Sequence, residues 1–222
     1  MAPSRIIDLR KLLAERFPEA VRPAPAAVLA TGVPNVDAAL EGGLTKGAIT
    51  ELSSPSGSAG SASIVAALLA RAAAERDFVA LIDGRDSFDP QSIGAGTLRH
   101  LLWVRCAKAA EAIQAADLLL RDGNFPLVIL DLVLNPVAEL RRIPSSHWYR
   151  LQRLVESAPT AFLVVSPRSM VSSAQWKLVL ENRWTLPQLD WAAKDLRAEL
   201  KIRLRRAQAN TWRGEERMEE VG

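Results

Sequence analysis

The stretch "ITELSSPSGSAGSASIVAALLA", residues 49–70, decides how the rest of the chain is read. It opens with a β-type run, turns through Ser, Gly and Ala, and enters an alanine- and leucine-rich helix. Strand, small-residue loop, helix is the layout of a phosphate-binding loop. In such a loop glycines let backbone N–H groups wrap the phosphates, a lysine neutralises their charge, and a Ser/Thr hydroxyl holds magnesium. Against the pattern G-x-x-x-x-G-K-[ST], Ser54 or Pro55 stands at the first glycine, Gly57 falls inside the loop, and Gly60 takes the second glycine's place, with one extra residue between. Ser61 then replaces the lysine and Ala62 the hydroxyl residue. Both partners of a triphosphate are missing, so the sequence predicts a structural strand-to-helix turn that attracts an anion weakly at best. ATP is not expected as a cofactor. Nor is ATP turnover expected, because phosphoryl transfer depends on electrostatic positioning by the missing groups.

On either side the pattern alternates. "DFVALIDG" (77–84), "LLWVRC" (101–106), "FPLVILDLV" (125–133) and "TAFLVVSP" (160–167) read as strands. "AKAAEAIQAADLLLRDG", closed by Gly123, and "SSHWYRLQRLVESAP", with Ser145 or Ser146 as N-cap, read as helices. Strands that are apolar throughout and alternate with helices imply a mostly parallel sheet covered on both faces, an α/β fold. Further on, "WKLVLENRW" and "AELKIRLRRAQ" alternate apolar with polar residues, the mark of half-exposed strands and an antiparallel extension of the sheet. Residues 1–28 read as an amphipathic helix, with Ile6, Leu9, Leu12, Leu13 and Phe17 near helical spacing, followed by a Pro/Ala tether. The core is expected over 29–206 and a polar tail over 207–222.

Composition narrows the function classes. The 28 basic and 25 acidic residues leave a surplus of three positive charges, too small to imply a nucleic-acid partner. A single cysteine, Cys106, excludes an internal disulfide and suits a reducing cytoplasm. No apolar run reaches the ~18 residues of a membrane span, and the N-terminus has no signal-peptide core. His100 and His147 lack companions at metal-ligand spacing.

Taken in order, several segments resemble the RecA core. "LATGVPNVDAALEGGLTKGAITEL" is similar to the run that leads into the RecA phosphate loop. "VALIDGRDSFDP" is similar to the stretch that carries the catalytic glutamate, "AADLLLRDGNFPLVILD" to the helix, turn and Walker B strand, and "FLVVSPRSM" to the strand before the nucleotide-sensing glutamine. The resemblance spans about residues 30–206, with an N-terminal helical arm in front, and implies a RecA-like sheet. Its departures imply lost chemistry. The glutamate that orients the attacking water falls on Arg85, or on Asp86 with a one-residue slip, and the sensing glutamine falls near Pro167 or Arg168. Asp131 keeps the Walker B carboxylate but has no hydroxyl partner for magnesium; a strand-end aspartate hydrogen-bonded to nearby backbone is the simpler expectation. "NPVAELRRIPSSH" and "RSMVSSAQ" are short for the two DNA-binding loops of RecA.

A RecA-like chain with these losses resembles the ImuA group, on "LLWVRC" before an alanine-rich helix and on the leading "LRKLLAERFP". That resemblance implies a non-catalytic accessory protein of DNA damage-induced mutagenesis, within the SOS response and translesion synthesis. Its implied partners are an ImuB-like Y-family polymerase homologue, a DnaE-type polymerase and RecA itself, in the cytoplasm. The group has also been likened to SulA, the cell-division inhibitor. A weak ATPase using a remodelled loop and Asp131 is the enzymatic alternative. Candidate partner-binding residues are Ile6, Leu9, Leu13 and Phe17 of the arm, which would also serve self-association, and Trp184, Trp191 and Trp212. Arg203, Arg205 and Arg206, with Arg141, Arg142 and Lys201, form a basic stripe for which DNA contact and a plain solvated face both stay open.

Overall fold

The computed structural model describes residues 27–56 and 59–206. The arm, Gly57 and the tail, and with them the expectations placed on Ile6, Leu9, Leu13, Phe17 and Trp212, lie outside the described residues.

In chain order the elements are β1 (Val28–Leu29), α1 (Pro34–Ala39), β2 (Leu44–Thr45), β3 (Ile49–Ser53), α2 (Ser61–Glu75), β4 (Val79–Asp83), α3 (Ala95–Leu98), β5 (Leu101–Arg105), α4 (Ala109–Asp122), β6 (Leu127–Asp131), α5 (Val137–Leu140), α6 (Ser145–Glu156), β7 (Ala161–Ser166), β8 (Trp176–Leu180), α7 (Ala193–Ala198) and β9 (Ile202–Arg206). Seven strands form the main sheet in the order β5-β4-β6-β7-β3-β8-β9, and β1 and β2 make a small antiparallel pair. β5 through β8 run parallel, and only β9 is antiparallel, against β8. The antiparallel pairing predicted for the last two strands is therefore present between them, while β8 itself continues the parallel set through its register with β3.

The apolar runs form strands because both faces of the sheet are covered. Every residue of β3, β4, β6 and β7 is buried. One face packs against α2, with Leu68 and Leu69 on Leu52, Leu81 and Leu163, and it continues under the last two strands through Leu178, Leu200, Ile202 and Leu204. The other packs against α4, α5 and α6, with Ala112, Ala116, Trp148 and Val155 on Ile82, Val128 and Phe162. The small residues of α4 let it approach the sheet closely, and Gly123 stops it with φ 70°. In α6 the cap differs from the expected serines. Pro144 occupies that position, Ser145 is already helical, and no side chain caps the end. Proline suits this place because its fixed φ enters the first turn without strain. The sheet thus brings the loops after β3, β4, β6 and β7 to one carboxyl-terminal edge, where ligands bind in open α/β sheets.

Candidate functional site

The loop after β3 starts from two buried serines, Ser53 and Ser54. The Ser54 N–H donates to the Ser166 carbonyl (2.8 Å), its hydroxyl donates to the Ser56 carbonyl (3.1 Å), and the Ala59 N–H donates to the same carbonyl (3.1 Å). These bonds turn the loop's polar groups on one another. Gly60 then enters α2 with φ 101°, a left-handed conformation that favours glycine, and no side chain caps the helix. A Cβ at Gly60 would lie 2.7 Å from Leu200 Cδ2 and 3.2 Å from the Trp184 indole nitrogen. Both residues come from the connection between β8 and β9, which is held down by the Asn35 side chain donating to the carbonyls of Ala198 and Leu200 (3.0 Å each). Ser61, in the lysine's place, is buried, and Ala62, in the hydroxyl's place, is exposed. A hollow of about 530 Å³ opens beside Pro55 and Ser56. Its cations are Arg183 and Arg203, and Arg203 is already paired with Glu181 (2.7 Å).

Two carboxylates sit side by side at the ends of β4 and β6, where Asp83 and Asp131 are register partners. Asp83 is fully buried and accepts from the N–H groups of Arg85, Ser87 and Phe88, from the Ser87 hydroxyl and from the Trp103 indole. It therefore shapes the 84–88 turn. Asp131 accepts from the Val133 N–H and the Ser87 hydroxyl (2.9 Å each). Burial pushes its carboxyl up to about 6; these two hydrogen bonds pull against the rise and the neighbouring Asp83 adds to it. Ser87 has one hydroxyl proton and two carboxylate neighbours. A proton on Asp131 resolves the conflict, Asp131 donating to Ser87 and Ser87 to Asp83. Gly84 permits this close approach, since a Cβ there would lie 2.3 Å from Asn135 Oδ1. Of the two residues that the resemblance offers for the water-orienting position, Arg85 stands half exposed with its guanidinium 4.0 Å from Glu139, and Asp86 is ion-paired with Arg105 (2.6 Å).

A third carboxylate carried no weight in the sequence reading. Glu51 lies in the middle of β3 with no exposure. It accepts from the Met170 and Val171 N–H groups and the Ser169 hydroxyl (2.8 Å), and Lys177 lies 3.5 Å away. These bonds pin the connection after β7 onto the sheet. The signal was present as an acid inside an apolar strand; its partners, some 120 residues downstream, were not.

The remaining candidates separate. Trp184 packs inward on Gly60, with Trp191 edge-on to it at 6.2 Å, and Trp191 keeps 43% of its surface exposed. Trp184 is thus occupied within the molecule. Arg203 and Arg205 are exposed on the face of β9 opposite Ile202 and Leu204, and Arg206 pairs through its backbone with Trp176. Cys106 is half-buried, and burial raises its thiol pKa. Among the described residues no group of His, Cys, Asp and Glu could hold a metal, and no helix is long and apolar enough to cross a membrane.

Comparison with known proteins bears on the whole arrangement. Residues 21–158 match the family model of the RecA N-terminal domain. Among curated proteins, RecA of Rhodococcus opacus (strain B4) is 33% identical over 150 residues, covering 64% of this chain and 42% of its own length. RecA of Frankia alni is 28% identical over 198 residues, covering 85% of this chain and 57% of its own length. The chain thus spans about half the length of the curated relatives it matches. With the family model matching more than half of its residues, including β3, β4 and β6 and the loops after them, the chain belongs to the RecA family.

Proposed function

We propose that this RecA-family chain is a non-catalytic accessory protein of damage-induced mutagenesis, one that works by binding other proteins. The observation that carries the reading is the state of the phosphate loop. Its lysine and magnesium-binding hydroxyl are replaced by Ser61 and Ala62, and Leu200 and Trp184 pack on Gly60 at the mouth of α2. The carboxylate edge points the same way. Asp131 is held by the Val133 N–H and Ser87, and the position where hydrolysis needs a base falls on Arg85 or, with a one-residue slip, on Asp86, which is ion-paired with Arg105. With neither charge compensation nor a base, differential stabilisation of a phosphoryl transition state has no source in these residues. The role in translesion synthesis, with an ImuB-like polymerase homologue, a DnaE-type polymerase and RecA as partners, follows from the resemblance of the segments to the ImuA group.

The test is a titration of the purified protein with ATP and magnesium, read by tryptophan fluorescence because Trp184 lies on Gly60. No saturable binding tighter than about 1 mM is expected. Tight, magnesium-dependent binding that Asp131→Ala abolishes would establish the ATPase reading instead. Binding to an ImuB-type protein is the positive arm; inhibition of FtsZ polymerisation in its place would favour the SulA-like alternative.

A further inference from the structure

We infer that the connection between β8 and β9, residues 181–201, is an intramolecular lock on the phosphate loop: its side chains take the place of a ligand at the mouth of α2, and Asn35 of α1 is the latch that holds them there. Leu200 is buried, and both it and the Trp184 indole reach Gly60. They fit because that residue has no side chain; a Cβ there would collide with Leu200. An apolar side chain set on a helix N-terminus excludes the anion that this end would otherwise attract. The loop's own polar groups are turned inward as well, since the Ser54 hydroxyl and the Ala59 N–H both end on the Ser56 carbonyl. The loop is thus held from two sides, by its own bonds and by the connection packed over its exit.

The connection is a built element. The Thr185 N–H donates to the Gln188 side-chain oxygen (2.8 Å) and the Gln188 N–H to the Thr185 carbonyl (3.1 Å), which fixes the turn after Trp184. Trp191 backs Trp184 edge-on, and α7 lies against α2. Two asparagines then grip the stretch that carries Leu200. Asn182, buried, donates to the Glu199 carbonyl (2.9 Å) and accepts the Lys201 N–H (2.7 Å). Asn35 donates from one amide nitrogen to the carbonyls of Ala198 and Leu200 (3.0 Å each). Asn182 belongs to the connection itself, whereas Asn35 stands 163 residues before Ala198, on α1. The entry to α1 is firm, because Asp37 accepts from the N–H groups of Thr31 (2.6 Å) and Gly32 (3.2 Å). Asn35 therefore ties the connection to a separate part of the fold. Its residue is exposed, so this grip can be released without opening the sheet.

The inference rests on the reading of this loop as one that no longer serves a nucleotide. No nucleotide enters its test, so either can fail alone. Amide hydrogen exchange is followed in the full chain over three stretches: 54–66, which holds the Ser63 and Ile64 N–H groups bonded to the Gly60 carbonyl; 181–201; and, as reference, the buried strand β6. Asn35→Ala removes both latch bonds at an exposed position. It is expected to speed exchange by about tenfold or more in 181–201 and in 54–66 together, with β6 unchanged, because a lock and the element it holds open as one unit. Trp184→Ala releases the same contact from the other end and is expected to speed exchange over 54–66 by a similar factor. Lys194→Ala, exposed on the same connection, is expected to change neither stretch. Faster exchange in 181–201 with 54–66 at its original rate, indifference of both to Asn35→Ala, or an equal rise in β6 would each overturn the inference.

Discussion

The phosphate side and the carboxylate side of the sheet edge have met different fates. After β3, Ser61 and Ala62 stand where a phosphate loop carries its lysine and hydroxyl, and side chains from the β8–β9 connection pack where the helix begins. After β4 and β6 the carboxylates remain, but they are sealed in and bonded to their own loops. A charged side chain that loses its ligand at the surface is free to be replaced. One that also holds a turn together is not, because its removal leaves buried N–H groups without an acceptor. The comparison teaches that Asp83 and Asp131 are bonded to their own loops, whereas the entrance of α2 is packed by Leu200 and Trp184.

The largest effect lies on Glu51, the extreme case of a carboxylate kept for structure. Glu51→Ala leaves the Met170 and Val171 N–H groups and Lys177 without their acceptor, and is expected to destabilise the protein by about 3–5 kcal/mol. Urea denaturation checks it, and a loss under about 1 kcal/mol would remove the clamp from the account.

Asp131 sharpens the comparison in the opposite direction. Its folded pKa of about 6 lies above the usual 3.8, so the fold holds its proton more tightly than the unfolded chain does. The contribution to stability is fully present below about pH 4, is lost as the pH rises through about 6, and is a constant penalty above that, on the order of 3 kcal/mol. Asp131→Asn places an amide donor toward Ser87 and removes the titration. It is expected to stabilise the protein by on the order of 2–3 kcal/mol at pH 7.5 and by nearly nothing at pH 4. Equal effects at both pH values would break the proton-sharing arrangement.

Gly60→Ala tests the filled loop. A left-handed φ and a Cβ 2.7 Å from Leu200 together predict a loss of about 1–3 kcal/mol, read by thermal melting. Combined with Leu200→Ala, the two losses should add to less than their sum, because the second change makes room for the first. Full additivity would mean that the two do not meet. The smallest effect is assigned to Arg203→Ala. Its pair with Glu181 is solvent-exposed on both sides and should matter by less than about 1 kcal/mol, so a large loss of stability would show β9 to be more than a solvated edge.

Much of this was legible in the residues. Four apolar runs separated by helical patterns predicted a parallel sheet, because a strand buried on both faces has no polar alternation to show. The same local reading predicted β9, since Ile202 and Leu204 alternate with Arg203 and Arg205. The missing lysine and hydroxyl were visible because a phosphate loop is a contiguous motif. The cap expected at Ser145 or Ser146 was misplaced because Pro144, also a good helix-starter, holds that position.

What the sequence by itself determined is the kind of sheet, the order of its loops and the absence of charged phosphate partners, all carried by period and spacing within some twenty residues. Tertiary structure alone decided that Leu200 and Trp184 would lie on Gly60, that Glu51 would reach the loop after β7, and that one Ser87 hydroxyl would stand between two carboxylates. The physical reason is that, apart from the local bond between Ser87 and Asp83, these are meetings between groups 44 to 140 residues apart along the chain. Only the pairing order of the strands brings such groups within hydrogen-bond and van der Waals range, and no local pattern records that order.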